Sequence, residues 1–183
     1  QARSVWIEDL GPRLGLTEAA PVTVAQWLSA TGFCHINCTI ARREFFQRIG
    51  GFDNQILYEG DRDFWLRSLD AAALILHEPA FVARHNAPAA TSQANASTSE
   101  PQLLRRISQL RVLDKAIALA RLPEIQAYAR DHKAYLLRRL ASELAAAGQA
   151  SSAAFYAREA LGARFGLKWS AYTAWLGAKA LLK

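Results

Sequence analysis

Three carboxylates stand within five residues in the first half of the chain: Glu59, Asp61 and Asp63. Trp65 and Arg67 follow directly, so polar and apolar side chains alternate more densely here than on an ordinary solvated helix face. A carboxylate within hydrogen-bond reach of a substrate hydroxyl can accept its proton. Acidic residues that open a helix also interact favourably with the helix dipole. The pattern alone therefore predicts a catalytic site and a simple helix start about equally well.

The elements that must position these side chains follow from the spacing of apolar residues. Residues 61–72 predict a helix, with its acidic residues in the first turn. An earlier predicted helix, residues 42–49, ends at Gly50 and Gly51, a pair that also permits a sharp turn. Short strands are predicted over residues 33–40, 73–76 and 80–84, and residues 22–30 fit a strand or a helix. A helix flanked by short strands indicates an α/β arrangement.

The second half of the chain has a different character. Residues 91–102 are mostly small and polar, which predicts a linker. Apolar residues then recur at helical spacing, which predicts an all-α region over residues 103–183. Its predicted helices are residues 103–122, 124–147, 151–163 and 167–182. The helix pair around Gly148 resembles one tetratricopeptide-type unit, because alanines in its second helix permit close packing.

Charge is divided unevenly between the two halves. Residues 1–102 carry 8 Lys/Arg and 11 Asp/Glu, whereas residues 103–183 carry 14 and 5. A basic region is typical of proteins with an anionic partner, such as a membrane surface, although solvated helix faces give the same counts and are the favoured interpretation. The aromatic last helix could lie at a membrane interface or pack on the preceding helices. No nucleic-acid motif accompanies the basic residues, so no nucleic-acid partner is expected.

Cysteine usage bears on the cellular compartment. Cys34 and Cys38 fall on one face of a predicted strand, without further Cys or His at zinc-ligand spacing. Two reduced structural thiols in a cytoplasmic protein are therefore expected. No apolar run reaches the ~20 residues that span a bilayer, and no signal peptide opens the chain. The chain begins at Gln1 and contains no Met, which favours a fragment or a processed product.

Four short segments follow one another in a fixed order: Arg42-Arg43-Glu44-Phe45-Phe46, Ile49-Gly50-Gly51-Phe52-Asp53, Gly60-Asp61-Arg62-Asp63-Phe64-Trp65-Leu66-Arg67 and Arg84-His85. Together they resemble the C-terminal half of the catalytic domain of family 2 glycosyltransferases. Each is common alone, whereas their order and spacing are more specific. The resemblance covers residues 27–90. It implies that residues 1–90 are the acceptor-side half of an α/β GT-A domain, followed by the linker and the all-α region.

The resemblance also implies roles for individual residues. In that family an acidic pair opens the acceptor-side helix, and its second member, the usual candidate for the general base, corresponds to Asp61. Gly60 stands at the first position of the pair, with Glu59 one residue early. His85 corresponds to a histidine that in some relatives completes a metal shell or touches the diphosphate, which makes it the candidate ligand of Mn²⁺ or Mg²⁺. A surface histidine that follows a strand explains the residue equally well.

The remaining candidates belong to the substrate-binding side of the site. They are Glu59, Asp63, Gly50, Gly51, Trp65 and Arg67. The glycines are expected to shape the acceptor-side turn, and Trp65 and Arg67 to act through packing and ion pairing. The sequence Asp61-Arg62-Asp63 also spells a metal-binding Asp-x-Asp, but in the family that motif ends a strand in the preceding half of the domain. It is therefore not assigned as a metal site.

The activity that the resemblance implies is inverting sugar transfer from a nucleotide-sugar donor to a glycan or lipid-linked acceptor, in polysaccharide biosynthesis. The nucleotide-binding half would lie outside these residues, so the chain alone is expected to be inactive. The alternative is a non-catalytic binding module whose basic helical tail docks a protein partner or an anionic membrane. Gly60 in place of the expected acid favours this alternative. A cytoplasmic, membrane-associated location fits either interpretation.

Overall fold

Helices account for most of the structure. The computed structural model describes residues 4–5, 14–29, 39–78, 85–86 and 102–181. Its helices are α1 (Val24–Ser29), α2 (Arg43–Arg48), α3 (Gly60–Ala71), α4 (Gln102–Leu119), α5 (Pro123–Ala146), α6 (Ala150–Ala163) and α7 (Leu167–Leu181). Its strands are β1 (Ser4–Val5), β2 (Ala20–Pro21), β3 (Leu76–His77) and β4 (His85–Asn86).

The strands form two separate antiparallel ladders of two residues each. β1 pairs with β4, where Val5 faces His85, and β2 pairs with β3, where Ala20 faces His77. The expectation of a partial α/β GT-A domain is therefore wrong: within the described ranges the architecture is mostly all-α, with no parallel sheet for helices to cover. The predicted strand over residues 73–76 illustrates this. Of that run only Leu76 lies in a strand, in the two-residue ladder with β2, and Leu74 and Leu76 are exposed rather than buried beneath helices.

The helices themselves lie close to their predicted positions. The prediction over residues 61–72 corresponds to α3, and the predictions after residue 102 correspond to α4–α7 within a few residues. Residues 22–30, which fitted either element, form a helix. The other two predicted strands and the linker lie almost entirely outside the described residues.

Local sequence explains where the longest helix begins and ends. Pro123 occupies the first turn of α5, where its missing N–H has no helical partner to lose. Gly148 follows the helix with a left-handed φ of 76°. The Gly148 N–H donates to the Ala145 carbonyl and the Gln149 N–H to the Leu144 carbonyl, at 3.1 and 2.9 Å. These two hydrogen bonds form a Schellman cap. The chain reverses direction here, and α6 begins two residues later.

One hydrophobic core joins the two halves of the chain. Phe64, Trp65, Leu66 and Leu69 of α3 belong to the same buried cluster as residues of α1, α4 and α5. The α4 and α5 members of this cluster are Val112, Leu113, Ala116, Ile125, Ala129 and Leu136. The proposed boundaries at residues 90 and 103 stay a prediction, but the apolar faces of α4 and α5 are buried against the segment that carries the acidic residues.

A second, smaller cluster holds the end of the bundle together. It contains Ala141 of α5, three alanines of α6 and Leu176 of α7. Such small side chains let α5 and α6 approach closely, as expected for the pair around Gly148. None of the helices within the described ranges combines the length and the apolar composition that crossing a bilayer requires.

Candidate functional site

The three carboxylates at the start of α3 are placed in three different environments. Glu59 immediately precedes the helix, with a left-handed φ of 65°, and Asp61 and Asp63 lie in the first turn. Asp61 is exposed, Glu59 is half-buried and Asp63 is only 2% exposed. Each carboxylate can therefore be assigned a different role from its contacts.

Asp63 is a buried structural anion. Its Oδ2 accepts hydrogen bonds from Arg67 Nε and Nη2, at 2.9 and 2.6 Å, and its Oδ1 lies 2.8 Å from Lys115 Nζ. Both oxygens are thus bound to cations. A buried carboxylate is tolerated only when paired in this way. Asp63 joins α3 to α4.

Arg67 holds the double-glycine turn against α3. Its guanidinium donates from Nη1 to the Ile49 carbonyl and from Nη2 to the Gly51 carbonyl, the latter at 2.7 Å. Gly50 and Gly51 have φ values of 83° and 61°, a left-handed backbone that suits glycine. A Cβ on Gly51 would also lie 3.0 Å from the Phe46 ring. The turn and the ion-pair role of Arg67 are confirmed, whereas the assignment of this turn to the acceptor side stays a prediction.

Lys115 connects this turn to the same network. Its Nζ lies 2.7 Å from Asp53 Oδ2, while Asp53 Oδ1 accepts the Gln55 N–H at 2.9 Å. These hydrogen bonds, that from Lys115 foremost, lower the pKa of Asp53 below its ordinary value. One lysine of α4 therefore bridges two carboxylates, one in the loop and one in α3.

Glu59 is held by residues of α3 and α4. Its Oε2 lies 2.9 Å from Arg62 Nε, and its Oε1 accepts a 2.8 Å hydrogen bond from Gln109. Just before it, Ser108 Oγ donates to the Tyr58 carbonyl at 2.7 Å. These contacts fix a non-glycine residue in the left-handed region, which is otherwise sparsely populated. Glu59 thus has cationic and amide partners of its own.

Arg62 extends the network to α5. Its Nη1 lies 2.6 Å from His132 Nε2. Burial, and secondarily the Arg62 guanidinium, lower the pKa of His132 to about 4. The ring is therefore neutral at pH 7, and Nε2 accepts the hydrogen bond from Arg62. The Tyr128 ring stacks on this imidazole with centroids 5.8 Å apart.

Asp61 differs from both neighbouring acids. Its Oδ1 accepts the Arg62 backbone N–H at 2.8 Å, and within the described part of the chain no cation forms an ion pair with its carboxylate. The side chain is exposed in the first turn of α3, beside the ion pairs of Glu59 and Asp63. It is the carboxylate of this cluster that is exposed to solvent.

Trp65 lies in the core rather than at the surface. It is 8% exposed, and its ring centroid lies 6.0 Å from that of Trp27 and 5.4 Å from that of Phe64. Packing, the role expected for it, is confirmed. Any contribution of Trp65 to substrate binding acts through the position of α3.

The metal assignment has little support among the described residues. β4 places the His85 backbone opposite Val5, but its side chain is outside the described part. Within that part, no group of three or more His, Cys, Asp or Glu side chains could hold a metal ion. Asp63 gives both oxygens to Arg67 and Lys115. The described residues therefore do not fit a divalent cation.

Several residues of this network were not predicted from the sequence. Lys115, Gln109 and His132 lie on helices assigned to a separate all-α region, 50 to 70 residues from their partners. One signal was present: Lys115 lies between Val112 and Ala116, two buried positions of α4. A charge within an apolar stripe indicates a buried ion pair, although it does not identify the partner.

A scan against protein-family models matched no family, and searches of curated proteins and of solved structures found no similar protein.

Proposed function

We propose that the chain supplies the acceptor side of an inverting enzyme that transfers a sugar from a nucleotide-sugar donor to a glycan or lipid-linked hydroxyl. The observation that carries the proposal is the state of the three acids. Glu59 and Asp63 are bound to cations, whereas Asp61 is exposed and has no ion-pair partner within the described residues. The proposal rests on these side chains and on the order of the segments around them, and not on a fold class.

The proposed chemistry is a single displacement. The acceptor hydroxyl oxygen attacks the anomeric carbon, the bond from that carbon to the nucleoside diphosphate breaks, and the diphosphate leaves with the electron pair. The hydroxyl proton passes to the Asp61 carboxylate. General-base assistance of this kind contributes about a hundredfold to ten-thousandfold in rate.

The surrounding network supports this role by holding the start of α3 in place. Asp63 binds α4 through Lys115, and Arg67 binds the Gly50-Gly51 turn. Arg62 donates its backbone N–H to Asp61 while its side chain contacts Glu59 and His132. A base held by rigid neighbours loses little entropy when the acceptor binds.

The donor side belongs to the proposal as well. The nucleotide-binding half, with the divalent cation that the diphosphate would need, is expected outside the described residues. A cytoplasmic site of action agrees with the two cysteines expected as free thiols.

The test uses a polypeptide that joins this chain to its nucleotide-binding half, a panel of nucleotide sugars and Mn²⁺. Asp61→Asn should lower kcat for sugar transfer by at least about a hundredfold. Glu124→Gln is the matched control, because Glu124 is also an exposed acid in the first turn of a helix. That control should retain the wild-type rate.

Two outcomes contradict the proposal. Normal turnover by the Asp61→Asn variant would remove Asp61 as the base. Absence of both transfer and donor hydrolysis across the panel would favour the alternative, a non-catalytic binding module.

A further inference from the structure

The outward face of α7 is apolar along its whole length. The exposed residues of this helix are Leu167, Lys168, Ala171, Ala174, Trp175, Ala178 and Leu181. All but the lysine are apolar, and their spacing of four, three, one, three and three residues places them in one stripe. Leu167 and Leu181 are 81% and 89% exposed, and Trp175 is 52% exposed.

This stripe is not the face by which α7 joins the bundle. The inner face carries Thr173 and Leu176, both buried, and Trp169 Nε1 donates to the Ala157 carbonyl of α6 at 3.0 Å. A helix that only covers a bundle has a polar outer face. Here both faces are apolar, so the outer face is available to a further partner.

The charges around the stripe indicate what covers it. α7 contains no acidic residue, and Lys168 and Lys179 lie three turns apart along one edge of the stripe. Lys179 Nζ lies 5.1 Å from the centroid of the Trp175 ring. From residue 150 to the end, the chain has five Lys/Arg and one Glu. An apolar stripe with lysines along one edge complements a partner whose interior is apolar and whose outer layer is anionic.

We propose that α7 lies in the interface of an anionic lipid bilayer, with Leu167, Trp175 and Leu181 inserted below the head groups. Its lysines would reach the lipid phosphates, since basic residues are attracted to the negative surface of such a bilayer. Trp suits this position because its ring is apolar and its N–H is polar. The helix lies on the bilayer and does not cross it.

A second copy of the chain fits the stripe less well. A helix of 15 residues is about 22 Å long and about 10 Å wide. The area it can bury is far below the roughly 800 Å² per partner of a stable interface. A copy of α7 also offers no carboxylate to the two lysines. A bilayer is not limited to the area of one helix, and it offers anionic groups to the two lysines.

The test is co-sedimentation of the full chain with vesicles of phosphatidylcholine, alone or mixed with phosphatidylglycerol in equal parts. The wild-type chain should bind the mixed vesicles, bind the neutral ones at least about tenfold more weakly, and lose affinity as salt is raised. Leu167→Ala and Trp175→Ala should each reduce binding at least about fivefold. The double variant Lys168→Gln/Lys179→Gln should lose the preference for anionic lipid.

Leu119→Ala is the matched control, because Leu119 is 68% exposed on α4 and lies outside the stripe. It should bind as the wild type does, and circular dichroism should show that every variant is folded. The inference is overturned if the folded wild-type chain binds neither vesicle, or if the stripe variants bind as well as the Leu119→Ala control. It is also overturned if sedimentation shows a dimer that Trp175→Ala dissociates. Vesicle binding is measured without sugar transfer, so neither proposal depends on the other.

Discussion

At the scale of single residues, Asp61 and Asp63 show how position decides the role of a carboxylate. They share the first turn of α3, but Asp63 is 2% exposed with both oxygens on cations, while Asp61 is exposed. Removing one partner from a buried pair leaves the other charges uncompensated. The same substitution should therefore cost much more stability at Asp63 than at Asp61.

We expect Asp63→Asn to lower the free energy of unfolding by about 3 kcal/mol, since Arg67 and Lys115 lose their shared anion. Asp61→Asn should cost no more than about 1 kcal/mol, the value of a charge near a helix N-terminus. Urea titration followed by circular dichroism measures both. Equal costs would mean that the ion pairs of Asp63 contribute nothing beyond the helix dipole.

His132 gives the protein a pH dependence whose sign follows from its environment. The folded-state pKa is about 4 and the ordinary value is 6.5, so the unfolded chain binds the proton more tightly between them. The contribution of His132 to the free energy of unfolding is therefore fully present above about pH 6.5, and it is lost as the pH drops towards about 4. Because the ring is only partly buried, about 1–2 kcal/mol is expected rather than the full equivalent of the shift.

His132→Gln keeps an acceptor for Arg62 but cannot titrate. The difference in free energy of unfolding between this variant and the wild type should therefore change across that pH range. The effects of all other titrating groups are the same in both chains and cancel in this difference. Urea unfolding at about pH 7 and about pH 4.5 is the measurement. A constant difference would remove His132 as the source.

At the scale of elements, helix ends were more predictable than strands. Pro123 and Gly148 mark the two ends of α5 by local rules, and the predicted helix over residues 124–147 differs from Pro123–Ala146 by one residue at each end. A strand needs a partner elsewhere in the chain, which apolar spacing does not identify. Residues 73–76 had the composition of a short strand and form one only at Leu76, with Pro21 opposite.

The same distinction applies to the site. The acidic cluster and the double-glycine turn are local features, and both were identified from sequence. Which acid would remain open was not predictable, because Lys115 and Gln109 reach the cluster from α4, a helix assigned to another region. Local patterns located the acidic residues, whereas contacts between residues distant in sequence determine which of these carboxylates are paired.

Two glycines of the C-terminal helices should respond to alanine with opposite signs. Gly148 has a φ of 76°, where a Cβ costs about 1 kcal/mol, so Gly148→Ala should destabilise the chain by that amount. Gly162 lies inside α6 with nothing within 4 Å of an added Cβ. Gly162→Ala should stabilise the chain by about 0.5–1 kcal/mol. Thermal unfolding of both variants tests the cap, and a stabilising Gly148→Ala would contradict it.

At the scale of the whole molecule, the two halves share their largest core. Leu113 of α4 is fully buried in the same cluster as Phe64 and Leu66 of α3. Ion pairs from Lys115 to Asp53 and Asp63 cross the same boundary. The start of α3 is therefore stabilised by α4, and the proposed base depends on a helix far from it in sequence.

Leu113→Ala tests this dependence. The cavity should cost about 2–5 kcal/mol. If the core is shared, the loss should appear in α3 as well as in α4, because the two helices unfold as one cooperative unit. Hydrogen exchange of the backbone amides of residues 64–69 should then accelerate together with that of residues 110–116. Full protection of α3 in this variant would show instead that the segment carrying Asp61 folds without the helices that follow it.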